Sequence, residues 1–382
     1  MRTHSPAASL PLKGQPIVSS PTGEELLAHI PFQQLDAIMK TLSLPHPHSY
    51  TAYAFTELNG QLHKVTKEWK DPQENEIVVK VLACGVCGSD ATVREGAYGD
   101  QFPRIPGHEI IGDVIAISAK EEVWKLGQRV GGGWHGGHCL TCSRCRLGDF
   151  ILCEKEDING ILRDGGYAEY VTLRSEAVVT VPSGLDPTEA APLLCAGITT
   201  FNSLRHMNIT PPDYVAVQGI GGLGHLALQV ANAMGYRVVA LSSGSSKEAL
   251  ARQLGAHEYI DGSKQDQADA LKALGGAKVI ICTAPNAEVI GKLIPALAPD
   301  GTMLLIALEP QPISVSPVAL ISNRASIRGW PSGHATDSEA CLAFAKAHNV
   351  KCMVQLFPLD KAQEAYDHRS SARFRAVIVP GL

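Results

Sequence analysis

The sequence lacks the features of proteins that bind membranes or nucleic acids. No apolar run reaches the roughly 20 residues that a bilayer-spanning helix needs, and basic residues do not exceed acidic ones, so the net charge is −5. A chain without a positive field does not attract a polyanion. The first 20 residues also lack the apolar stretch of a secretory signal, and Arg2 and Lys13 are the only strongly basic residues among the first 39. We therefore expect a cytoplasmic protein that binds neither membranes nor nucleic acids.

The chain is long enough for more than one domain. It has 382 residues, of which 45% are hydrophobic, and single cores stop growing near about 250–300 residues. Its ten cysteines would suit a disulfide framework in a secreted protein. Without an oxidising compartment, clustered thiols are more often metal ligands.

Residues 1–48 differ from the rest of the chain. Pro and Ser dominate to about residue 22, and the segment ends in Pro45, His46, Pro47 and His48. Between these parts, apolar residues recur at near-helical spacing: Leu26, Leu27, Ile30, Leu35, Ile38, Met39 and Leu42. The pattern predicts a mobile tail and one or two short amphipathic helices. This extension either packs on the main body, is disordered, or binds a partner.

The hydrophobic pattern changes once in the remaining chain. Residues 50–185 are β-rich, with β-branched runs at 77–82, 108–117 and 167–181 cut by glycines. After residue 181, apolar strands alternate with helical patterns, which predicts a parallel sheet covered on both faces. The predicted strands of that sheet are Tyr214–Gln218, Arg237–Ser242, 278–282 and 302–308. The end of the chain holds a predicted helix at 337–348 and a strand at 374–379, and we expect it to complete the first domain.

A glycine-rich turn follows the first strand of the predicted parallel sheet. A GxGxxG motif is weak evidence alone, but here it follows a strand, opens a helix and lies among β-α units. In such a turn the glycines allow a tight bend and a close approach to a pyrophosphate at a helix N-terminus. The predicted dinucleotide-binding residues are Gly219, Gly221, Gly222, Leu223 and Gly224. The alternative is a glycine-rich turn in a nucleotide-free sheet.

The residues about 20 positions later bear on which dinucleotide binds. An Asp or Glu there would accept hydrogen bonds from the ribose diol of NAD. This chain has Ser242, Ser243 and Lys247 instead. Hydroxyls and a lysine suit a 2′-phosphate better because they donate hydrogen bonds and carry no negative charge. We therefore favour NADP(H) over NAD(H), although the same residues could form an ordinary turn with a solvated lysine.

Four cysteines lie within fifteen residues at Cys139, Cys142, Cys145 and Cys153. Four thiolates on a short loop satisfy a closed tetrahedral zinc site. A zinc ribbon for nucleic acid is the weaker alternative because the loop is not basic overall.

A second set of possible metal ligands is dispersed along the chain. Cys87, His108 and Cys195 stand in the segments CGVCGSD, GHE and LLCAG. A single buried Cys or His is usually a core residue, so spacing alone identifies no site here.

Five motifs, in this order, resemble those of zinc-containing alcohol dehydrogenases, a medium-chain dehydrogenase/reductase family. They are CGVCGSD, GHE, the four-cysteine loop, LLCAGITT and GIGGLG, and the similarity covers roughly residues 50–382. The short segment from Cys153 to Cys195 is similar to the yeast-type, bacterial and cinnamyl-alcohol-type branches. The resemblance implies an α/β fold: a β-rich GroES-like catalytic domain at 49–196 and 331–382, and a doubly wound Rossmann domain at 197–330. Residues 1–48 would then be an extension.

The resemblance also implies a catalytic zinc site. Cys87, His108 and Cys195 match the family's three zinc ligands, which leave the fourth position open for a substrate oxygen. Glu109 matches a carboxylate that is an occasional alternative ligand. Asp90 matches the carboxylate that orients the histidine through its other ring nitrogen.

Further positions match groups that handle the proton and the coenzyme. Ser89 matches the hydroxyl that passes the alcohol proton, and Thr199 matches a nicotinamide contact. Thr92 stands where many relays continue through a histidine, so Thr92 or water would have to complete the path. Gly88 stands where many members have a His or Arg against the pyrophosphate, and Arg375 is the predicted substitute because it matches a phosphate contact.

The resemblance implies less about the substrate and the assembly. Trp134 lies close to a pocket-lining aromatic of the yeast-type enzymes and Tyr98 is a second candidate, although both could be core residues. Members commonly form dimers or tetramers through the edge strand of the Rossmann domain, here residues 326–330. We therefore expect a homodimer or a homotetramer.

The implied activity is the interconversion of an alcohol and its aldehyde or ketone by hydride transfer with NAD(P)(H). Two rival functions are a zinc-independent quinone or enoyl reductase on the same scaffold and a non-enzymatic zinc- and nucleotide-binding protein. The residues do not identify the substrate: a primary-alcohol dehydrogenase and a reductase of a specialised biosynthetic aldehyde are equally compatible with them.

Overall fold

The computed structural model describes residues 41–99, 101–369 and 374–382. Most of the predicted N-terminal helical segment therefore lies outside the described residues. Leu42 was predicted to belong to that helical pattern, and this prediction is wrong: Leu42 lies in a strand that pairs with residues 116–118. The backbone N–H of Leu44 continues the ladder by donating to Ile115, so the edge of an existing sheet decides the conformation here.

The first part of the chain is β-rich, as predicted. Its strands are β1 (Thr41–Ser43), β2 (Ser49–Phe55), β3 (Leu62–Glu68), β4 (Glu76–Gly85), β5 (Ile110–Ser118), β6 (Arg129–Gly132), β7 (His135–Gly137), β8 (Asp157–Ile158), β9 (Tyr170–Arg174) and β10 (Val178–Thr180). β2 pairs with β3 and β7 pairs with β8 as separate two-stranded sheets. The predicted run 167–181 is two strands rather than one, because a 3-10 turn at Ser175–Ala177 separates β9 from β10.

The second part contains the predicted parallel sheet. Its six strands are β11 (Tyr214–Gln218), β12 (Arg237–Ser242), β13 (Glu258–Asp261), β14 (Ala277–Cys282), β15 (Leu297–Leu305) and β16 (Ser326–Gly329). Their spatial order is β13-β12-β11-β14-β15-β16, with every neighbouring pair parallel. Counted within the sheet this is the order 3-2-1-4-5-6 of a dinucleotide-binding fold, and β16 is an edge strand.

The described helices are short in the β-rich part and longer around the parallel sheet. They are α1 (Ala91–Arg94), α2 (Ser143–Arg146), α3 (Pro187–Ala190), α4 (Ala196–Arg205), α5 (Gly224–Ala233), α6 (Glu248–Gln253), α7 (Gln267–Ala273), α8 (Ala287–Leu293), α9 (Pro317–Asn323), α10 (Ala335–His348) and α11 (Ala362–His368). The predicted helix 337–348 corresponds to α10.

The end of the chain returns to the first sheet. β17 (Val354–Pro358) and β18 (Arg375–Val379) are parallel to each other, and β18 pairs with the last residues of β4. The order along this sheet is β10-β6-β5-β4-β18-β17, with β1 on β5 and β9 on β4. The exact domain boundaries stay a prediction.

Three buried hydrophobic clusters lie within the described residues. One lies within the β-rich part, and two lie on opposite faces of the parallel sheet. The cluster that contains Val215 of β11 and Leu226 of α5 also contains Ala83 and Val377 of the first sheet. The two sheets therefore share a continuous apolar contact, which holds the first sheet beside the glycine turn.

Candidate active site

Four side chains from three distant segments meet between the two sheets. One ligand atom each of Cys87, His108, Glu109 and Cys195 lies within 4.8 Å of the others. Cys87 follows β4, His108 and Glu109 precede β5, and Cys195 separates a 3-10 turn from α4. The folding of both β strands and the helix is therefore required to assemble the group.

The donor set fits a zinc ion. The sulfurs of Cys87 and Cys195 are 3.6 Å apart, and two sulfurs on one tetrahedral zinc with bonds of about 2.3 Å would be about 3.8 Å apart. Nε2 of His108 is fully buried and has no hydrogen-bond partner, which is a costly arrangement unless an ion occupies the space. A hydrogen bond with Cys195 and the charge of Arg375 lower the pKa of Cys87 well below its ordinary value, so a thiolate is available to a metal.

Asp90 connects two of these candidate ligands. Its Oδ1 lies 3.1 Å from Nδ1 of His108, and its Oδ2 accepts a hydrogen bond of 2.8 Å from the backbone N–H of Cys87. The contact with His108 is close, but it does not have the geometry of a hydrogen bond. Oδ2 also accepts a 2.8 Å bond from the hydroxyl of Tyr167, and both side chains are fully buried. Tyr167 was not identified as a site residue from the sequence, where its only signal is its place after Gly165 and Gly166.

Glu109 is paired with Arg375. Arg375 donates to both carboxylate oxygens, through Nε at 3.2 Å and through Nη2, and its Nη2 is also 3.6 Å from the sulfur of Cys87. Burial raises the pKa of Glu109 to about 7 against the opposing effect of Arg375. Gly85 provides the room, because a Cβ there would lie 1.9 Å from Glu109 Oε2. Gly85 was not identified as a site residue from the sequence.

Ser89 and Thr92, the predicted proton-relay residues, lie beside the group of candidate metal ligands (the ligand group: Cys87, His108, Glu109 and Cys195). The backbone N–H of Ser89 donates to Cys87 Sγ at 3.5 Å, and the Thr92 hydroxyl donates to the carbonyl of Ser89 at 2.7 Å. Thr92 is therefore bonded to the backbone of Ser89 and not to its hydroxyl. Gly88 is exposed with open space around its Cβ position.

The two predicted pocket aromatics occupy different places. Trp134 packs edge-on against the His108 ring with a centroid distance of 5.1 Å. Tyr98 is 45% exposed and lines a small cavity with Thr92 and Phe102. Trp134 is thus the aromatic that adjoins the ligand group.

The glycine turn lies where β11 ends and α5 begins. Gly219 has a φ of +87°, and a Cβ on Gly224 would lie 2.0 Å from the carbonyl oxygen of Gly219. A Cβ on Gly221 would meet nothing within 4 Å, so the space in front of it is open. Thr283, missed in the sequence, donates its hydroxyl to the carbonyls of Gln218 and Gly219 at 2.8 and 2.9 Å. These features hold the turn in the shape of a phosphate-binding turn.

The glycine turn faces the metal-ligand group through two residues. Nη1 of Arg375 would be 3.4 Å from a Cβ on Gly222, so the same guanidinium contacts Glu109 and approaches the turn. Thr199 is buried in α4, and its backbone N–H donates to the carbonyl of Cys195 at 2.9 Å. Residues four apart share one face of a helix, which places Thr199 beside the candidate ligand Cys195.

The turn after β12 carries the predicted selectivity residues. Lys247 reaches back to the glycine turn, where Nζ donates to the carbonyl of Ile220 at 3.1 Å. Ser243 is exposed and Ser242 is half-buried. Gly244, at φ +78°, is held by β13: its N–H donates to Asp261 at 2.7 Å and its carbonyl accepts from Tyr259 at 2.6 Å. Asp261 Oδ1 also accepts from Ser263, so this carboxylate oxygen is engaged by the turn itself.

The four-cysteine loop brings its sulfurs together. Ligand atoms of Cys139, Cys142, Cys145 and Cys153 lie within 4.8 Å of one another, with two sulfur pairs at 3.9 Å. That separation exceeds a disulfide bond of about 2.05 Å and suits a shared tetrahedral ion. Hydrogen bonds from Thr141 and from the backbone N–H of Cys142 lower the pKa of Cys139 to about 5.

Comparison with known families and structures gives a consistent result. Residues 73–183 match the family model for the alcohol dehydrogenase GroES-like domain, and residues 222–347 match the model for zinc-binding dehydrogenases. Alcohol dehydrogenase patD of Penicillium expansum is 50% identical over 334 residues, which cover 87% of this chain and 98% of that protein. The chain belongs to the zinc-containing alcohol dehydrogenase family.

Solved structures of this alcohol dehydrogenase family share the fold. A cinnamyl alcohol dehydrogenase from Sorghum bicolor aligns with a TM-score of 0.78 at 28% identity, covering 87% of this chain and 97% of that one. The enzyme CAD from Helicobacter pylori, solved in complex with NADP(H), aligns with a TM-score of 0.76 at 25% identity over 87% of this chain and 98% of that one. This alcohol dehydrogenase is therefore an NAD(P)-dependent oxidoreductase of alcohols and their carbonyl products. Within the described residues, every helix is too short or too polar to cross a bilayer.

Proposed function

We propose that this alcohol dehydrogenase works with a catalytic zinc held by Cys87, His108 and Cys195 and with a dinucleotide held at the glycine turn. The observation that carries the proposal is the position of Arg375. Its guanidinium contacts Glu109 and Cys87 of the ligand group and approaches Gly222 of the turn. A substrate carbon at the ligand group would thus lie beside a hydride donor bound at the turn, which is the arrangement that hydride transfer requires.

The residues around this site have distinct tasks in the proposal. Zinc supplies a Lewis acid for the substrate oxygen, and the dinucleotide supplies or accepts the hydride. Asp90 orients His108, and Ser89 passes the proton of the alcohol. Gly88 carries no charge, so Arg375 provides the positive charge that faces the pyrophosphate.

We infer that the coenzyme is NADP(H) rather than NAD(H). The turn from Ser242 to Lys247 offers hydroxyls and an ammonium group, whereas the nearby Asp261 uses one carboxylate oxygen for Gly244 and Ser263. The Helicobacter pylori relative was solved with NADP(H), which supports the same choice. Ser242→Asp should reverse the ratio of kcat/KM for NADPH over NADH, since a carboxylate repels the 2′-phosphate and accepts bonds from the diol. An unchanged ratio would remove Ser242 from the selectivity site.

We infer a second, structural zinc in the loop of Cys139, Cys142, Cys145 and Cys153. Four thiolates fill the coordination sphere and leave no position for a substrate. This ion would hold the loop in place. Metal analysis of the purified enzyme should therefore give two zinc ions per chain.

The function is tested by parallel assays with NADPH and NADH on aliphatic and aromatic aldehydes, and on the alcohols, before and after chelator treatment. We expect reduction that stops on metal removal and returns when zinc is added. Activity that persists without metal would support a zinc-independent quinone or enoyl reductase. Coenzyme binding without turnover of any aldehyde or alcohol would support a non-enzymatic protein. Cys195→Ser is a matched variant and should lose one of the two zinc ions together with activity.

We infer that the enzyme forms homodimers or homotetramers through the parallel sheet. Within the part of the chain that the structure describes, β16 pairs with β15 alone, and most of its residues are exposed. Val318 and Ile321, in the adjoining helix α9, are 70% and 75% exposed. An exposed strand edge with apolar neighbours is a natural pairing surface.

A further inference from the structure

The hydroxyl of Tyr167 is bonded to a carboxylate that connects two candidate zinc ligands. It donates to Asp90 Oδ2 at 2.8 Å, and neither side chain has any exposed surface. Tyr167 precedes β9, whereas Asp90 lies 77 residues earlier in the turn after Cys87. The bond therefore joins the ligand group to a separate part of the β-rich core.

The two oxygens of Asp90 have different partners. Oδ2 accepts from the N–H of Cys87 and from the hydroxyl of Tyr167, while Oδ1 faces Nδ1 of His108 at 3.1 Å. A buried carboxylate is stable only when its oxygens are paired. With two donors on Oδ2, rotation of the carboxylate would break both bonds, so Oδ1 is held toward His108. Without the tyrosine hydroxyl, only the bond from Cys87 opposes that rotation.

The ring of Tyr167 is itself fixed by packing. A Cβ on Gly107 would lie 2.5 Å from Tyr167 Cδ1, so the ring lies directly against the backbone before His108. Its own backbone N–H donates to Pro106 at 3.1 Å, and its carbonyl accepts from Tyr53 at 2.8 Å. The hydroxyl is thus directed at Asp90 by the backbone and side chains that surround the ring.

We propose that Tyr167 is a positioning residue of the catalytic metal site: its hydroxyl holds Asp90 in the orientation that directs His108 and thereby determines how firmly the ion is retained. This rests on the proposed zinc site at Cys87, His108 and Cys195. Partners outside the ligands of a metal typically change metal affinity by about 10–100-fold when they are removed. Since Tyr167 acts through Asp90, its effect should lie at the lower end, about tenfold.

The experiment uses the full-length enzyme loaded with zinc. Tyr167→Phe keeps the ring and removes only the hydroxyl, and Tyr366→Phe is the control because Tyr366 is equally buried in the same hydrophobic cluster. Release of zinc to a chromophoric chelator is followed over time. We expect Tyr167→Phe to release the catalytic zinc about tenfold faster while the loop zinc is released at the wild-type rate. Tyr366→Phe should release both ions as the wild type does.

Two further measurements separate positioning from a general loss of stability. The visible spectrum of the cobalt-substituted enzyme should change in Tyr167→Phe and not in Tyr366→Phe, because only the former alters the ligand field. In an Asp90→Asn background, Tyr167→Phe should have no further effect on release, since the two groups act as a unit. The proposal would be overturned if Tyr167→Phe released both zinc ions at the wild-type rate, or if it released both ions faster by the same factor. A wild-type enzyme that binds zinc only in the loop would instead overturn the proposed catalytic site.

Discussion

Among single residues, Ser89 and Thr92 are two neighbouring hydroxyls with different surroundings. The Thr92 hydroxyl is bonded to the backbone carbonyl of Ser89, whereas Ser89 follows the ligand Cys87 by two residues. Ser89→Ala should lower kcat by about 100-fold, the effect of a lost proton-transfer group, and Thr92→Ala should lower it much less. Steady-state kinetics and pH profiles of both variants provide the measurement. If both substitutions had equal and negligible effects on kcat, the two hydroxyls would not form a proton relay.

His225 predicts a pH dependence of stability. Its buried Nε2 accepts a hydrogen bond of 3.3 Å from the backbone N–H of Met353. Nδ1 therefore carries the ring hydrogen and donates it to the carbonyl of Gly221 at 3.1 Å. Burial, aided by the charge of Arg375, lowers the pKa of His225 to about 4. Unfolded His225 takes up a proton near pH 6.5 and the folded form does not, so acid favours unfolding. His225 by itself should therefore lower the free energy of unfolding by about 3 kcal/mol between pH 6.5 and 4, and its own contribution should not change further below pH 4.

The check for His225 is denaturant unfolding of the wild type and of His225→Gln at pH 7 and pH 5. The variant should be less stable than the wild type at pH 7 but should lose less stability on acidification. Parallel losses in the two proteins would show that other groups cause the acid sensitivity.

At this scale, the sequence identified residues whose chemistry is local or whose motif is distinctive. The four thiols of the loop are visible from their spacing, because all four ligands belong to one short segment. Cys87, His108 and Cys195 were recognised only by resemblance, since nothing in the spacing of such distant residues shows that they meet. Tyr167 and Gly85 could not be found, because their importance depends on contacts with Asp90 and Glu109 across the fold.

Among the elements, the glycine turn allows a paired test. Gly224→Ala should lower the free energy of unfolding by about 2 kcal/mol or more, because its Cβ would lie 2.0 Å from a backbone oxygen. Gly221→Ala should fold normally, because its Cβ meets open space, but should bind NADPH at least about tenfold more weakly, since that space admits the pyrophosphate. Urea unfolding and NADPH fluorescence titration measure the two effects. The turn's proposed role would be contradicted if Gly221→Ala lost stability but bound NADPH normally, while Gly224→Ala folded normally but bound NADPH weakly.

The elements of the parallel sheet were the most predictable part of the fold. β11 and β12 coincide with the predicted strands because buried parallel strands are continuous apolar runs between turn residues. β15 begins at Leu297, five residues before the predicted start, and its register with β14 shifts. Asp300, at φ +62°, lies in this irregular part. The Pro-Asp-Gly sequence at 299–301 is typical of a turn and hid the strand, and only the pairing of Leu297 with Ala277 reveals it.

For the whole molecule, the exposed apolar residues of α9 predict a subunit contact. Replacing both Val318 and Ile321 by Asp should convert the oligomer to smaller species, because charge would be buried against the partner. Size-exclusion chromatography with light scattering measures the mass. Val123→Asp is the control, as Val123 is 66% exposed and lies in the other sheet's part of the chain. An unchanged mass in the double variant would place the contact elsewhere.

The return of the C-terminal strands has a consequence for how the enzyme is made. The loop of four cysteines can close on its ion as soon as Cys153 has left the ribosome. The group of Cys87, His108, Glu109 and Cys195 needs Cys195, and the guanidinium that lies against it belongs to β18, the last strand of the described residues. During synthesis the proposed loop zinc could therefore be captured before all the residues of the proposed reaction centre have been made. A truncated chain that lacks β18 would carry zinc in the loop and yet be unable to reduce an aldehyde.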